Sequence, residues 1–240
     1  FLLAGRHVLY CGTPCQVRGL KQYLNVTHTN TELLLTIDFA CHGVPSNLFF
    51  NQFKRMFEKK GKRVVDVDFR YKDFSRSNMM WHNMTLRLGF SDGSEKIFPR
   101  FSCYYYYYEP FLNNIFLRKS CYNCDIALHS DADVSLGDFW GINKHRTELD
   151  DNKGMSFVSI NNISYLPVWE ELSKGGFSEK LPFDAVAYQY VDKRDVRAGQ
   201  RKIRDKFVLS IKQKGYKRAV IEHYGKMNMI KAIHVRRVKN

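Results

Sequence analysis

Residues 7–24, HVLYCGTPCQVRGLKQYL, have the pattern of a short strand followed at once by a helix. The apolar letters of HVLYCG predict a buried strand. Thr13 suits the N-cap, Pro14 suits the first helical position, and Gln16 lies three residues after Thr13, as a capping box requires. We therefore expect a β-α unit with Cys15 in the first turn of its helix.

A second β-α unit follows the first, and the two together indicate an α/β fold. Residues 32–41, ELLLTIDFAC, are typical of a strand, and the helix expected after them carries aromatic residues such as Phe49 and Phe53 on one face. The pattern predicts a mixed sheet with flanking helices and with cysteine-bearing loops at one sheet edge. Further strands are predicted in residues 64–72, 132–138 and 155–162, with a hairpin in 84–98 that turns at Asp92–Gly93.

The net charge of +14 is concentrated near the C-terminus of this 240-residue chain. Val191–Asn240 holds 16 Lys and Arg residues but only 4 Asp and Glu. We therefore predict a domain over residues 1–190 and a basic helical tail over 191–240, with surface helices that the functional site does not need. Such a charge run is typical of a solvated helical face, or of a segment that meets nucleic acid, an acidic partner or an anionic membrane surface.

The composition excludes several classes of protein. With 44 % hydrophobic and 15 % aromatic residues, the chain can bury a globular core. It contains no apolar run of about 18 residues, so we expect no membrane span, and its first residues lack the features of a secretory signal. Six cysteines are too few for a disulfide scaffold in a chain of this length. We expect a cytoplasmic protein whose thiols bind metal or act in catalysis.

Five consecutive tyrosines, Tyr104–Tyr108, form the one segment of low complexity. Aromatic residues are common at half-buried positions, so ordinary helix packing explains most of such a run. Five successive rings do not all face one core, however. We therefore also expect some of them to line a cavity, an interface or a cofactor.

Four cysteines are predicted to meet at one place. Cys121 and Cys124, in SCYNCD, have the spacing of two thiols that bind one metal ion or cluster. Cys15 starts a helix directly after a strand, where the helix N-terminus stabilises a thiolate, and Cys41 lies where the next strand ends. Carboxyl ends of strands in an open α/β sheet form a ligand crevice, so these segments are well placed to face each other. The other two cysteines, Cys11 and Cys103, are interpreted as packing residues.

Four thiolates are compatible with a [4Fe-4S] cluster or with a structural zinc ion. Structural zinc sites usually combine two closely spaced pairs, whereas Cys15 and Cys41 are single cysteines far apart in the sequence. This scatter favours a cluster held across a fold.

Four motifs, in this order, give the chain a resemblance to a known family. They are VLYCGTPCQVRGLKQYL (8–24), LLTIDFACHGVPS (34–46), LRKSCYNCDIA (117–127) and ADVSLGDFWGI (132–142). Together they resemble the C-terminal part of the coenzyme F420 hydrogenase/dehydrogenase β-subunit family. Members generally begin with a ferredoxin-like segment and a region rich in Ser and Gly, so we expect this chain, which starts at Phe1, to be a fragment.

The resemblance implies an iron-sulfur flavoprotein and an oxidoreductase. Such a protein passes electrons between FAD, a [4Fe-4S] cluster and a deazaflavin, a ferredoxin or another reducible partner. Carried over by motif, the cluster ligands are Cys15, Cys41, Cys121 and Cys124. FAD binding is expected to need the N-terminal region as well, and no residue here indicates coenzyme F420 as the substrate.

Several further residues are candidates for the site. His42, beside Cys41, is a candidate catalytic proton donor or donor to a cluster sulfur, or else a structural residue. Thr13 and Pro14 open a helix whose amides could bind a phosphate of the cofactor. Gly137 and Gly141, in GDFWGI, are expected to permit a tight turn, with Asp138 and Trp140 lining a flavin or substrate cavity. The alternative there is a capped turn packed by Phe139 and Trp140.

Two other functions stay open on the sequence alone. Four cysteines and a basic tail are also found in zinc-stabilised nucleic-acid-binding modules, but the cysteines here are distant from the basic residues and form no known zinc-finger motif. We expect no specific nucleic acid. A partner subunit that has kept the fold and acts only within a redox complex is the remaining alternative.

Overall fold

The chain, in a computed structural model, is described for residues 1–73, 85–98, 100–126, 130–151, 153–187 and 194–225, without the side chains of 100–105, 143 and 194–196. It divides into two compact units. The first unit is Phe1–His42 with Cys124–Lys193, and the second is Gly43–Asn123 with Arg194–Asn240.

The regular elements are named in chain order, and residues 216–225 form a further helical segment. The strands are β1 (Val8–Cys11), β2 (Leu34–Phe39), β3 (Val64–Asp68), β4 (Leu86–Phe90), β5 (Glu95–Phe98), β6 (Val134–Asp138) and β7 (Ser156–Ile160). The helices are α1 (Pro14–Val26), α2 (Asn47–Arg55), α3 (Arg100–Leu112), α4 (Ile142–His145), α5 (Leu166–Ser173) and α6 (Arg194–Lys214). The α/β class and the mixed sheet are confirmed.

The sheet of the first unit has the strand order β1-β2-β6-β7. Strands β1, β2 and β6 are parallel, and β7 runs antiparallel to β6. The predicted capping box forms, because Gln16 Oε1 accepts a hydrogen bond from the backbone N–H of Thr13 at 2.9 Å. The chain thus turns directly from β1 into α1. Because β1, β2 and β6 are parallel, their carboxyl ends lie at the same end of the sheet.

Strand β1 is less buried than its apolar letters predict. Leu9 is 63 % exposed and Cys11 is exposed as well. The prediction of a buried strand with Cys11 as a packing residue is therefore wrong for this face. The physical reason is position, since β1 lies at the edge of the sheet and only one of its faces is half-buried.

A buried carboxylate joins three elements of the first unit. Asp133 Oδ2 accepts hydrogen bonds from the backbone N–H of Thr36 at 2.8 Å and from its hydroxyl at 2.6 Å. Asp133 Oδ1 accepts one from Asn162 Nδ2 at 3.1 Å and lies 3.4 Å from Lys21 Nζ. Burial raises the pKa of Asp133, but the hydrogen bonds from Thr36 and Asn162 and the charge of Lys21 outweigh it and lower the pKa below its usual value.

The second unit packs helices against an antiparallel sheet of order β3-β4-β5. The predicted hairpin between β4 and β5 forms at Asp92–Gly93, and Gly93 has the positive φ of 79° that this turn requires. Phe49 and Phe53 of α2 are fully buried, as their spacing predicts. Both belong to an aromatic core that also includes β4 and α3 residues.

The tyrosine run lies in α3. Tyr107 and Tyr108 are buried, and Tyr107 stacks on Phe69 with ring centroids 4.7 Å apart. Helix packing is therefore confirmed for these two rings. The side chains of Tyr104 and Tyr105 lie outside the described residues, as does that of Cys103.

In the basic C-terminal segment, the described residues 194–225 are helical, as predicted, but they are not a surface appendage. Phe207 of α6 is 1 % exposed, and Tyr216 and Val220 of the 216–225 segment are also buried in the core of the second unit. The expectation of surface helices is wrong because one face of α6 carries apolar residues at helical spacing between the charged ones.

No helix in the described part of the chain is long and apolar enough to cross a bilayer.

Candidate functional site

Cys15 and Cys41 lie at the carboxyl edge of the first unit's sheet, as predicted. Cys15 is exposed in the first turn of α1, where its Sγ is 3.1 Å from Thr13 Oγ1. Cys41 is half-buried and follows the end of β2 by two residues. Because β1 and β2 are adjacent and parallel, both thiols follow neighbouring strands at the same end.

Cys121 lies in the second unit, in a short 3-10 turn over Lys119–Asn123. The backbone N–H of Val44 points at its Sγ, with 3.5 Å between nitrogen and sulfur. The two segments are joined further by the backbone N–H of Arg118, which donates to the carbonyl of Val44 at 2.9 Å, and by a bridge between Pro45 and Leu117. An amide N–H directed at sulfur favours a thiolate, and such hydrogen bonds tune metal clusters bound by cysteine.

Gly43 makes this close approach possible. Its φ is +125°, in the region that L side chains rarely adopt. A Cβ atom at Gly43 would lie 2.8 Å from Cδ2 of Leu117, which is fully buried. The glycine of the CHG motif is therefore required by the backbone that presents the amide of Val44 to Cys121.

The turn that carries Cys121 is also contacted by Arg197 of α6. Arg197 is 3 % exposed, and its Nη1 donates a hydrogen bond to the carbonyl of Cys121 at 3.2 Å. The neighbouring Tyr122 is 1 % exposed and donates from its hydroxyl to the carbonyl of Asn114 at 2.5 Å. Burial raises the pKa of Tyr122 to about 12, so the phenol is neutral at physiological pH. The sequence patterns did not point to Arg197, whose residue type in a basic segment is unremarkable.

The four predicted ligands are divided between the two units. Cys15, Cys41 and Cys124 belong to the first unit, and Cys121 belongs to the second. Within the described residues, no group of three or more His, Cys, Asp or Glu side chains is arranged to hold a metal ion. The common ligation of these four thiols stays a prediction.

The donor set nevertheless has the chemistry that an iron-sulfur cluster needs. All four predicted ligands are free thiols rather than disulfides. Three of them, Cys41, Cys121 and Cys124, are half-buried, and Cys121 receives the amide of Val44. Thiolates are the usual ligands of such clusters. The residue types and their settings therefore fit the implied group.

The predicted flavin contacts have mixed structural settings. Pro14 is buried at the start of α1. Thr13 is the N-cap of this helix, and its hydroxyl donates a hydrogen bond to Gln16 Oε1 at 3.0 Å. Gly137 is not in a tight turn, so the prediction is wrong for this glycine, whereas Gly141 does lie in the turn after β6. Gly137 lies within β6, where a Cβ atom would be 2.3 Å from Cε1 of Phe157, its cross-strand partner.

Strand β6 ends at Asp138, and the chain turns directly after it. The side chain of Asp138 is half-buried, Phe139 is 3 % exposed, and Trp140 is 39 % exposed beside it. Phe139 packs this turn by stacking on His145 of α4 with centroids 6.0 Å apart. Trp140 is thus accessible at the carboxyl end of the strands, and its contact with a flavin or substrate stays a prediction.

A cavity in the first unit lies at the opposite end of the strands. It measures about 520 Å³, and its lining includes Lys21, Leu34, Asp133 and Tyr165. Leu34 begins β2 and Asp133 precedes β6, so the cavity is at the amino ends of these strands. None of the predicted flavin contacts lines it.

His42 is half-buried directly after Cys41. Its catalytic role stays a prediction.

Comparison with known proteins identifies one family. Residues 5–185 match the family described as the C terminus of the coenzyme F420 hydrogenase/dehydrogenase beta subunit. A chain in the solved structure of the F420-reducing [NiFe] hydrogenase complex from Methanosarcina barkeri, a xenon derivative, is 14 % identical, with a TM-score of 0.42. The alignment covers 86 % of this chain and 62 % of that one, so this chain spans less than two thirds of its length. No curated protein matches.

Proposed function

Because this chain belongs to the coenzyme F420 hydrogenase/dehydrogenase β-subunit family, whose C-terminal part it matches, we propose that it binds a [4Fe-4S] cluster and passes electrons within an oxidoreductase. The proposed ligands are Cys15, Cys41, Cys121 and Cys124. The family carries the redox role, and the assignment of cluster and ligands is ours.

The observation that supports the ligand set most directly is the setting of Cys121. A backbone amide is aimed at its sulfur, and a glycine with positive φ is needed to bring that amide there. Packing alone does not need either feature, because a buried thiol behaves as a small apolar side chain. A sulfur that carries negative charge, as a cluster ligand does, benefits from both.

When bound, the cluster would accept and release single electrons. The chain's own residues contribute by holding and shielding it. The Thr13 hydroxyl lies against the Cys15 sulfur, and the amide of Val44 stabilises charge at Cys121. The ring of Tyr122 is buried next to Cys121 in the sequence.

FAD and a redox partner complete the proposal. We place the flavin near Thr13, Pro14, Gly137, Asp138 and Trp140, with further contacts from segments outside this chain. The proposed partner is a ferredoxin or another redox subunit, and coenzyme F420 is one candidate substrate among other reducible cofactors. The proposed setting is the cytoplasm, where the reducing environment keeps thiols free to bind metal.

The test is a set of single Cys→Ser variants, reconstituted without oxygen in the complete protein. We expect Cys15→Ser, Cys41→Ser, Cys121→Ser and Cys124→Ser to lose most of their iron, acid-labile sulfide and visible absorption. Each iron of the cluster requires its own ligand, so no thiolate replaces another. Cys11→Ser is the matched control, because Cys11 is an exposed thiol of the same unit as Cys15.

Three results would contradict the proposal. One zinc per chain without iron would favour the structural zinc alternative. Full iron retention in any of the four ligand variants would remove that residue from the set. A chain without metal or sulfide under all reconstitution conditions would favour a partner subunit that holds no redox centre of its own.

A further inference from the structure

Arg197 is an unusual residue for a basic segment because it is buried. Of the polar and charged residues in the described part of α6, it is the one that is buried, at 3 % exposure. Taking a guanidinium out of water is costly unless negative charge or hydrogen-bond acceptors compensate. Its position therefore needs a reason other than solubility.

One group that Arg197 reaches belongs to the cysteine-bearing turn. Its Nη1 donates to the carbonyl oxygen of Cys121 at 3.2 Å, a contact between residues 76 positions apart in the sequence. Cys121 is also the residue whose sulfur receives the amide of Val44. The turn is thus fixed at its carbonyl by a cation and at its sulfur by a backbone donor.

The same face of α6 carries a second cation toward this turn. Arg204 follows Arg197 by seven residues, which places both on one side of the helix. Its side chain is 13 % exposed, so this second cation also lies on the inner face of the helix. Arg201, between them, is exposed. The inner face of α6 therefore brings positive charge to the turn.

We propose that Arg197 is a positioning residue for Cys121, and that its buried positive charge raises the reduction potential of the cluster that Cys121 holds. The inference rests on the proposed function. It goes further by giving the basic C-terminal helix a role in the redox chemistry.

The sign of the effect follows from electrostatics. Reduction adds one electron to the cluster and makes it more negative. A nearby buried cation stabilises the more negative state more strongly, because charges interact strongly where water is excluded. Removing that cation therefore lowers the potential, and an exposed cation, which is screened by solvent, has far less influence.

The experiment compares Arg197→Gln, Arg197→Lys and Arg201→Gln in the complete protein after anaerobic reconstitution. Arg197→Gln removes the charge, Arg197→Lys keeps it, and Arg201→Gln removes an exposed arginine from the same helix. Measurements are the iron content, the midpoint potential of the cluster by spectroscopic redox titration, and the circular dichroism of the metal-free protein.

We expect Arg197→Gln to shift the midpoint potential to a more negative value. Arg197→Lys, which keeps the charge, should have a potential close to that of the wild type, and Arg201→Gln should match the wild type. Loss of iron from Arg197→Gln with retained circular dichroism also supports the inference, because positioning of Cys121 has then failed. An unchanged potential in Arg197→Gln, or an equal shift in Arg201→Gln, would overturn it.

Unfolding of both Arg197 variants would also overturn the inference, since Arg197 would then be structural only. The wild type separates this inference from the proposed function. If the wild-type protein binds no cluster, the proposed function has failed. If the wild type binds a cluster and the variants do not differ from it, only the role of Arg197 has failed.

Discussion

At the scale of single residues, the backbone next to Cys41 is controlled by one glycine. Gly43 combines a φ of +125° with a close approach to Leu117. Either feature alone would favour glycine, and together they leave little tolerance for any side chain. The amide that reaches the Cys121 sulfur is on the very next residue, Val44.

We predict that Gly43→Ala lowers the free energy of unfolding by about 2–4 kcal/mol, through backbone strain and overpacking against Leu117. Gly61→Ala is the matched control, because Gly61 has a positive φ of 79° but a Cβ atom added there would meet nothing within 4 Å. The control should lose only about 1 kcal/mol. Urea unfolding measures both, and equal losses would mean that the Leu117 contact relaxes without cost.

At the scale of elements, Asp133 joins parts of the first unit that are distant in sequence. Its carboxylate binds Thr36 of β2, lies beside Lys21 of α1, and accepts from Asn162, which follows β7. These contacts lower its pKa in the folded chain relative to the unfolded one. The ionised form therefore stabilises the first unit, and this contribution is present above the unfolded pKa of about 3.9.

We predict that this contribution is lost as the pH falls from about 4 through the folded pKa of Asp133. Asp133→Asn should lower the free energy of unfolding by about 1–3 kcal/mol near pH 7, because it sets an amide donor against the donors of Lys21 or Thr36. The difference from the wild type should shrink at acid pH. Urea unfolding across pH tests this, and a difference independent of pH would contradict it.

Asp131→Asn is the control for that experiment. Asp131 lies two residues earlier and pairs with Arg18 at 2.5 Å, but its side chain is 39 % exposed. Ion pairs at such positions contribute about 0–1 kcal/mol, so the control should stay close to the wild type.

At the scale of the whole molecule, the described residues 194–225 of the basic C-terminal segment are part of the second unit rather than a tail. The apolar residues of its described part share a core with α2, β4 and α3. The charged side chains described there are exposed, apart from those on the inner face of α6 that carries Arg197. The high content of basic residues therefore does not prevent this segment from contributing to the core. Deleting it would remove core residues and not only positive charge.

We predict that Phe207→Ala lowers the free energy of unfolding by about 3–5 kcal/mol, as expected for a large side chain removed from a close-packed core. Phe207 is 1 % exposed and packs against the rings of Phe49 and Phe116. Leu209→Ala, at a position that is 56 % exposed on the same helix, should change stability by about 0.5 kcal/mol or less. Comparable losses in the two variants would show that α6 is not packed as described.

The local pattern of the sequence determined the regular elements and much of their order. The Thr13-Pro14-Gln16 signal, the alternating strands and the Asp92–Gly93 turn depend on interactions between residues close in the chain. The carboxyl edge that carries Cys15 and Cys41 could be inferred as well, because parallel β-α units place their strand ends together.

Only the tertiary structure decided which residues surround those elements. Strand β1 is exposed because it is at the sheet edge, Gly137 is needed because Phe157 lies opposite it, and Arg197 is buried because α6 folds back onto the turn of Cys121. Periodicity shows which residues of a helix or strand share an inner face, but not which residues that face contacts. Those contacts come from segments far apart in the chain. The sequence by itself therefore determined the β-α units and the candidate thiols, while the packing of distant segments decided the setting of each.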